Sequence, residues 1–156
     1  MRGMLVLLAL FGLSAAGIAL PSADEATEIS ADAYAPDMLF SHRQALTYST
    51  AMPAVRGIIP ATAIVGTSPA DFAPRLAWTT RIDSNPDGSR RITTMPASPL
   101  PFPAAALAIA IAAKSGGYPG AGLALGGLVR TARGSSTMPV PASVPDGYPV
   151  IVTNLN

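Results

Sequence analysis

An uninterrupted apolar segment near the N-terminus is the feature that most constrains this chain. Residues 4–20, MLVLLALFGLSAAGIAL, include no charged side chain and a single hydroxyl group. As a helix with a rise of 1.5 Å per residue, the segment would extend roughly 26 Å, close to the hydrocarbon thickness of a bilayer. Because Arg2 precedes it, the N-terminus is expected in the cytoplasm and the rest of the chain on the other side of the membrane.

The sequence leaves two fates open for this segment. A cleaved signal peptide has an apolar region of about 7–15 residues before a site of small residues, and residues 14–16 and 21–23 are weak sites of that kind. A membrane span needs about 17–25 apolar residues, which the segment just reaches. We favour an uncleaved single-pass anchor over cleavage, with membrane contact through residues 4–20.

The composition excludes several kinds of chemistry. The chain has 156 residues, no cysteine and one histidine, which excludes disulfides, thiolate zinc sites, iron–sulfur clusters and multi-histidine metal sites. Charged residues make up 12% of the chain, and a net charge of +1 gives no electrostatic footprint for nucleic acid. We therefore expect no metal, no cofactor and no nucleic-acid partner. The length is enough for one modest domain.

Two helices are predicted beyond the apolar segment. Pro36 suits the first turn of a helix, and residues 37–51 lack proline and glycine and repeat apolar side chains at helical spacing. Residues 53–75 contain four prolines and two glycines, which predicts an ordered loop. Residues 104–114, AAALAIAIAAK, are predicted to form a short buried helix, although their alternating large side chains also fit a strand.

A β-hairpin is the clearest local signal. Residues 76–82 and 91–95 are rich in β-prone side chains, and Asn85-Pro86-Asp87-Gly88 between them is typical of a turn. Arg90-Arg91 is expected on the solvated surface of this hairpin. Residues 122–130 are a further candidate strand, weakened by glycines. With the helices, these strands predict an α+β fold in which an antiparallel sheet packs on one or two helices.

The domain organisation follows from these elements. We predict a membrane anchor or signal segment at residues 1–23, a polar linker at 24–35, and a single α+β domain at 36–156. The linker is inferred from its polar, alanine-rich composition, which contrasts with the apolar segment before it.

The candidate chemistry in the sequence is weak. His42 has no nucleophile and carboxylate placed beside it, so we expect a surface or hydrogen-bonded histidine rather than a general base. Asp83 and Asp87 flank the hairpin turn, where capping of the turn is expected rather than cation binding. The glycine-rich residues 116–122 lack the lysine and hydroxyl residue of a phosphate loop. No catalytic, cofactor-binding or metal-binding residue is therefore predicted.

The C-terminal strand is the candidate partner-binding site. Residues 148–154, YPVIVTN, are predicted to form a strand, and Pro149 places it near an edge of the sheet or at a strand start. An edge strand can pair with a strand of another protein. We therefore expect Tyr148, Val150 and Val152 to form a partner-binding edge.

The order of these features resembles the PilM family of type IVb, conjugative thin-pilus biogenesis proteins. The residues that carry the resemblance are Leu39, Arg43, Ala45, Leu46, Tyr48 and Pro53, then Gly57-Ile58-Ile59-Pro60, Trp78, residues 85–88, Val144-Pro145-Asp146-Gly147 and Val150-Ile151-Val152. They follow the family's apolar N-terminal segment in the family's order over most of the chain, and the proline-rich residues 96–103 depart from its pattern.

The resemblance implies a non-enzymatic accessory of pilus assembly in the inner membrane. Its globular part would face the periplasm, and its partners would be other pilus-assembly proteins of the inner membrane and periplasm, in a pilin transport apparatus or pilus basal body. Two alternatives stay open: a minor pilin or pseudopilin in a filament, and an exported small-ligand-binding domain. The pilin alternative is disfavoured because Leu8 stands where a pilin cleaved after Gly3 would have glutamate.

Overall fold

An antiparallel sheet with helices against one face is formed by the residues that the computed structural model describes, 23–65, 73–131 and 134–155. The elements in chain order are α1 (Ala23–Ala51), β1 (Gly57–Ile58), α2 (Ala61–Val65), β2 (Trp78–Ser84), β3 (Arg90–Pro96), α3 (Ala104–Lys114), β4 (Ala121–Leu125), β5 (Leu128–Thr131), β6 (Gly134–Pro139) and β7 (Pro149–Leu155). The seven strands are ordered β1-β2-β3-β7-β4-β5-β6, and all neighbours are antiparallel. The predicted α+β class is confirmed.

The predicted membrane or signal segment lies outside the described residues. Within the described part of the chain, no helix has both the length and the apolar character needed to cross a bilayer.

Helix α1 begins earlier than the sequence predicts. It starts at Ala23, so the predicted linker at residues 24–35 is helical and Pro36 lies inside the helix rather than at its first turn. An internal proline costs about 3 kcal/mol because it lacks an N–H and its ring clashes with the preceding turn. Burial of Ala31, Ala35 and Met38 in the core offsets that cost, and alanine is the strongest helix former.

Helix α3 packs against α1, and contacts at both of its ends join the two helices. Phe102, just before α3, stacks on Tyr34 with ring centroids 5.3 Å apart. Lys114, at the other end of α3, donates to Asp32 Oδ2 at 2.8 Å. The buried side chains of both helices form one core cluster with Ala121 of β4 and Ile151 of β7, and α1 also packs on β2 and β3.

The boundaries predicted for α3 are confirmed, as is its helical conformation. The helix spans Ala104–Lys114, and Gly116 and Gly117 follow it with φ of +70° and +79°, a conformation that glycine adopts at helix C-termini. Leu107 and Ile111 are fully buried, whereas Ile109 is 60% exposed. A spacing of four residues between the buried side chains is helical, which settles the ambiguity of the alternating pattern.

The β2–β3 hairpin is confirmed, and a second hairpin replaces a predicted strand. Ser84 pairs with Arg90 across the loop at residues 85–89. The prediction of one strand at residues 122–130 is wrong, because β4 ends at Leu125 and β5 begins at Leu128. Between them Gly126 and Gly127 have φ of +60° and +73°, as a two-residue hairpin turn of type I′ requires.

The second face of the sheet is covered by an irregular segment, residues 140–148. Its buried Val140 and Val144 pack against Val150 and Val152 of β7. Two arginines on this face hold the first half of the covering segment. Arg91 Nη1 donates to the Pro139 carbonyl at 2.9 Å, and Arg81 Nη1 donates to Ser143 Oγ at 2.7 Å.

Candidate functional site

The predicted partner-binding edge is at the centre of the sheet. Strand β7 lies between β3 and β4 and pairs with both of them. Val150 and Val152 are fully buried on the second face and have no exposed surface for a partner. The expectation that Tyr148, Val150 and Val152 form an edge is therefore wrong.

Pro149 explains how a strand that begins with proline can be central. It is the first residue of β7, where the missing N–H removes no interior ladder bond. On either side of it the backbone bonds continue, since the Ala124 N–H donates to the Tyr148 carbonyl at 2.8 Å. Pro149 was compatible with an edge strand or with the start of a strand, and in the structure it is at the start of a central strand.

Tyr148 lines an apolar cleft at the end of the sheet. The cleft has a volume of about 240 Å³ and is also lined by Pro96, Pro99, Phe102 and Pro149. None of its lining residues is charged. The cleft is therefore suited to apolar contacts and lacks a charged group that would orient a ligand.

His42 lies in a buried hydrogen-bonded network between α1 and the sheet. Its Nδ1 is 2.9 Å from Thr94 Oγ1 on β3, and its Nε2 is 2.9 Å from Thr153 Oγ1 on β7. Thr94 is also 3.0 Å from Thr80 Oγ1 on β2, and Thr153 is 2.9 Å from Tyr118 Oη. The network thus joins α1, three strands and the loop after α3, and the prediction of a hydrogen-bonded histidine is confirmed.

The direction of each bond in this network follows from one carbonyl acceptor. Tyr118 Oη donates to the Val152 carbonyl at 3.1 Å, because a carbonyl only accepts. The Tyr118 oxygen must then accept the proton of Thr153. Thr153 has no proton left for His42, so it accepts from Nε2–H. This assignment fixes the Nε2–H tautomer of His42.

The other half of the network follows in the same direction. A neutral imidazole with Nε2 protonated accepts at Nδ1, so Thr94 donates to His42 and in turn accepts from Thr80. All donors point one way along the network, an arrangement in which each bond polarises the next. Both nitrogens of His42 are occupied, so the imidazole supports packing and is not free to act as a base.

Burial lowers the pKa of His42 to about 4, because the charged imidazolium would lose its hydration among neutral hydroxyl groups. In the unfolded chain the pKa has its ordinary value of 6.5. Between these two values the unfolded chain binds a proton that the folded chain does not. Folding is then favoured less at low pH than at neutral pH.

We expect the stability to fall as the pH drops from 6.5 towards 4. The contribution of neutral His42 is fully present above pH 6.5, and its loss by pH 4 amounts to about 3 kcal/mol. Urea unfolding at about pH 7 and about pH 4.5 measures the effect. A His42→Gln variant retains one donor and one acceptor but does not titrate, so its stability should depend less on pH. Equal pH dependence in both proteins would contradict the prediction.

The two carboxylates at the hairpin have separate roles. Asp87 Oδ1 accepts from the hydroxyl and the N–H of Ser89 at 2.6 and 2.9 Å, which confirms the predicted turn capping. The side-chain bond first, and then the backbone bond, lowers the pKa of Asp87. Asp83 instead pairs with Arg81 at 2.7 Å on β2. Turn capping is therefore wrong for Asp83.

The glycines at residues 116–122 allow backbone conformations and close backbone contacts that other residues would not. Gly116 and Gly117 end α3, and Gly120 and Gly122 lie where neighbouring strands approach closely. A Cβ on Gly120 would overlap the Val152 carbonyl oxygen. Positive φ angles and close backbone approach account for these glycines, in keeping with the absence of phosphate-loop residues among them. In the described part of the chain, no group of three or more histidine, cysteine or acidic side chains could hold a metal ion.

Two arginines converge at the C-terminal end of α1, a feature that sequence reasoning missed. Arg56 Nη1 donates to the Pro53 carbonyl at 2.7 Å, and Arg90 Nη1 donates to the same oxygen at 3.3 Å. Arg90 also donates to the Ser49 carbonyl in the last turn of α1 at 2.8 Å. The sequence marked Arg90 only as part of a solvated pair, because residues 34 positions apart give no local signal of proximity.

Comparison with known proteins gives one family and two solved structures. The profile of the PilM family matches residues 6–152. A crystal structure described as a PilM protein from Escherichia coli B7A is 14% identical, covers 88% of this chain and 99% of its own, and has a TM-score of 0.49. Another, described as a pilM protein from Pseudomonas aeruginosa 2192, is 23% identical, covers 80% and 95%, and has a TM-score of 0.40. No curated protein matches the chain.

Proposed function

Because this chain belongs to the PilM family, we propose that it is a non-enzymatic accessory of type IV, thin-pilus biogenesis. It is held in the inner membrane by residues 4–20, with the α+β domain in the periplasm. There it contributes to the pilin transport apparatus or the pilus basal body by binding other assembly proteins. The family match over residues 6–152 is the observation that carries this proposal.

The arrangement of α1 supports a membrane-tethered role. The apolar residues 4–20 end three residues before Ala23, where α1 begins. Because α1 packs on α3 and on the sheet, a helix that starts this close to the membrane would fix the position of the whole domain. A long flexible linker, by contrast, would leave the domain free to move.

The use of the polar side chains supports a binding role rather than catalysis. His42 is the only histidine, and both of its nitrogens bond to threonines inside the protein. Asp83 is paired with Arg81, and Asp87 caps a turn. These three side chains, each of a type that can act as a general base, are thus committed to holding the fold.

Loss of surface pili on deletion of the gene is the expected result. Sheared pilus fractions from the deletion strain, the wild type and a strain complemented with the full chain would be compared by immunoblotting for the major pilin. An assembly accessory is required before pilin reaches the surface, so the sheared fraction should be empty while pilin persists inside the cell. Normal pili in the deletion strain would contradict the proposed function.

Intact mass and fractionation distinguish the proposal from its alternatives. Full-length mass in the inner membrane is expected for a fixed anchor. A mass that starts near Asp24 in the soluble periplasm would instead favour an exported ligand-binding domain. A cut after Gly3, with the protein in sheared filaments, would favour a minor pilin.

A further inference from the structure

Arg56 and Arg90 form a pair of positive charges with no internal counter-ion among the described residues. Their Nη1 atoms are within about 6 Å of each other, because both bond to the Pro53 oxygen at 2.7 and 3.3 Å. In the described part of the chain, neither guanidinium has a carboxylate within 4.0 Å. Their hydrogen bonds go to carbonyl and hydroxyl oxygens, which are neutral.

Donor counting shows which N–H groups remain for an external acceptor. Arg90 donates only through Nη1 within the described residues, which leaves the Nε–H and Nη2–H edge without an acceptor there. That edge is the fork that binds both oxygens of a carboxylate. Arg56 donates through Nε and Nη1 and keeps both Nη2–H donors. The donors already in use fix the two side chains in place.

An exposed apolar turn adjoins the two arginines. Residues 51–54, with the sequence AMPA, are all exposed, and Met52 exposes 51% of its surface. The turn is continuous with the pair, because Pro53 supplies the carbonyl to which both arginines donate. Positive charge beside apolar surface fits an acidic segment that also carries an apolar side chain.

We propose that Arg56, Arg90 and the turn at residues 51–54 form a docking site for an acidic segment of a partner protein. A carboxylate of that segment binds the free edge of Arg90 and the Nη2 of Arg56, and a neighbouring apolar side chain packs on Met52. The bound carboxylate relieves the repulsion between the two guanidinium groups. We call this region the Arg56–Arg90 surface.

The position of the Arg56–Arg90 surface favours a protein over a lipid headgroup, a choice that rests on the proposed function. Helix α1 has 29 residues and is therefore roughly 43 Å long. The Arg56–Arg90 surface is at its C-terminal end, whereas residues 4–20 precede its N-terminal end. If residues 4–20 anchor the chain, a lipid phosphate would lie near the other end of the helix.

The test is a titration of the full-length chain, labelled with ¹⁵N and held in detergent micelles, with the peptide acetyl-Leu-Glu-Glu-Leu-amide. The arginine Nε–Hε resonances of Arg56 and Arg90 should shift on binding, and replacement of glutamate by glutamine in the peptide should abolish the shifts. Arg56→Gln and Arg90→Gln should each weaken binding about tenfold, because each removes a charge-assisted hydrogen bond. Arg56→Lys and Arg90→Lys should restore part of the affinity.

Arg43→Gln is the matched control, since Arg43 is another exposed arginine of this chain, on the surface of α1. It should bind the peptide like the wild type, and thermal unfolding should show that all variants remain folded. Equal weakening by Arg43→Gln would show non-specific attraction and overturn the proposal. Shifts of both arginines with inorganic phosphate but not with the peptide would also overturn it.

Pilus assembly in cells separates this inference from the proposed function. If deletion of the gene abolishes pili and the Arg56→Gln/Arg90→Gln chain fails to restore them, both stand. If that variant restores pili as well as the wild type does, the docking site is wrong and the proposed function is unaffected. If deletion leaves pili intact, the proposed function fails, while the peptide titration still decides whether the site binds carboxylates.

Discussion

A chain that ends before Pro149 is expected to have no folded domain. Such a chain lacks β7, the strand that joins the β1-β2-β3 half of the sheet to the β4-β5-β6 half. Val150, Ile151 and Val152 are buried, and each such side chain contributes about 1.5–3 kcal/mol. Their loss, with that of both hydrogen-bonded ladders, exceeds what a domain with a stability of about 5–15 kcal/mol can tolerate.

Circular dichroism and two-dimensional amide spectra of the truncated chain would measure this effect. The truncated chain is expected to give poorly dispersed amide signals. Because the deletion would unfold the domain, it cannot test the partner-binding role predicted for residues 148–154. A matched pair of substitutions tests the same point without truncation. Val152→Asp should unfold the domain, whereas Asn154→Asp, two residues along on the same face but exposed, should be tolerated. Dispersed signals from the truncated chain would contradict the central role of β7.

Local signals in the sequence predicted the elements that local interactions determine. The β2–β3 hairpin follows from its turn residues, and α3 follows from an alanine-rich run between Pro103 and a pair of glycines. In both cases the residues that define the ends lie next to the element. Gly126-Gly127 is an equally local signal, typical of a two-residue hairpin turn, and it accounts for the break between β4 and β5.

The position of β7 could not be predicted in this way. Pro149 indicates where a strand can start, but the neighbours of that strand are β3 and β4, which lie far from it in the sequence. The prediction of where α1 starts was wrong for a related reason. Pro36 is a strong local signal for a helix start, and only the packing of Ala31 and Ala35 on α3 reverses it.

The contacts of the functional side chains could not be predicted either, because the residues that make them are far apart in the sequence. His42 was correctly expected to be hydrogen-bonded, yet its partners on β3 and β7 are 52 and 111 residues away. Arg56 and Arg90 meet only because β2 and β3 bring the hairpin beside the end of α1. Charge and residue type are visible in the sequence, whereas convergence of two side chains on one carbonyl is a property of the fold.

Gly122→Ala is expected to destabilise the domain by about 3 kcal/mol or more, a loss of roughly 10 °C in Tm. Gly122 lies in β4, and a Cβ there would overlap the Arg130 carbonyl oxygen and lie 2.8 Å from its carbonyl carbon. Because these are backbone atoms of the paired strand β5, no side-chain rotation relieves the overlap.

Gly116→Ala is the matched control. A Cβ at that position meets no atom within 4 Å, so only the positive φ of +70° is unfavourable, at a cost of about 1 kcal/mol. Thermal unfolding of the two variants should therefore differ by several degrees, and equal losses would show that β4 and β5 are not packed this closely.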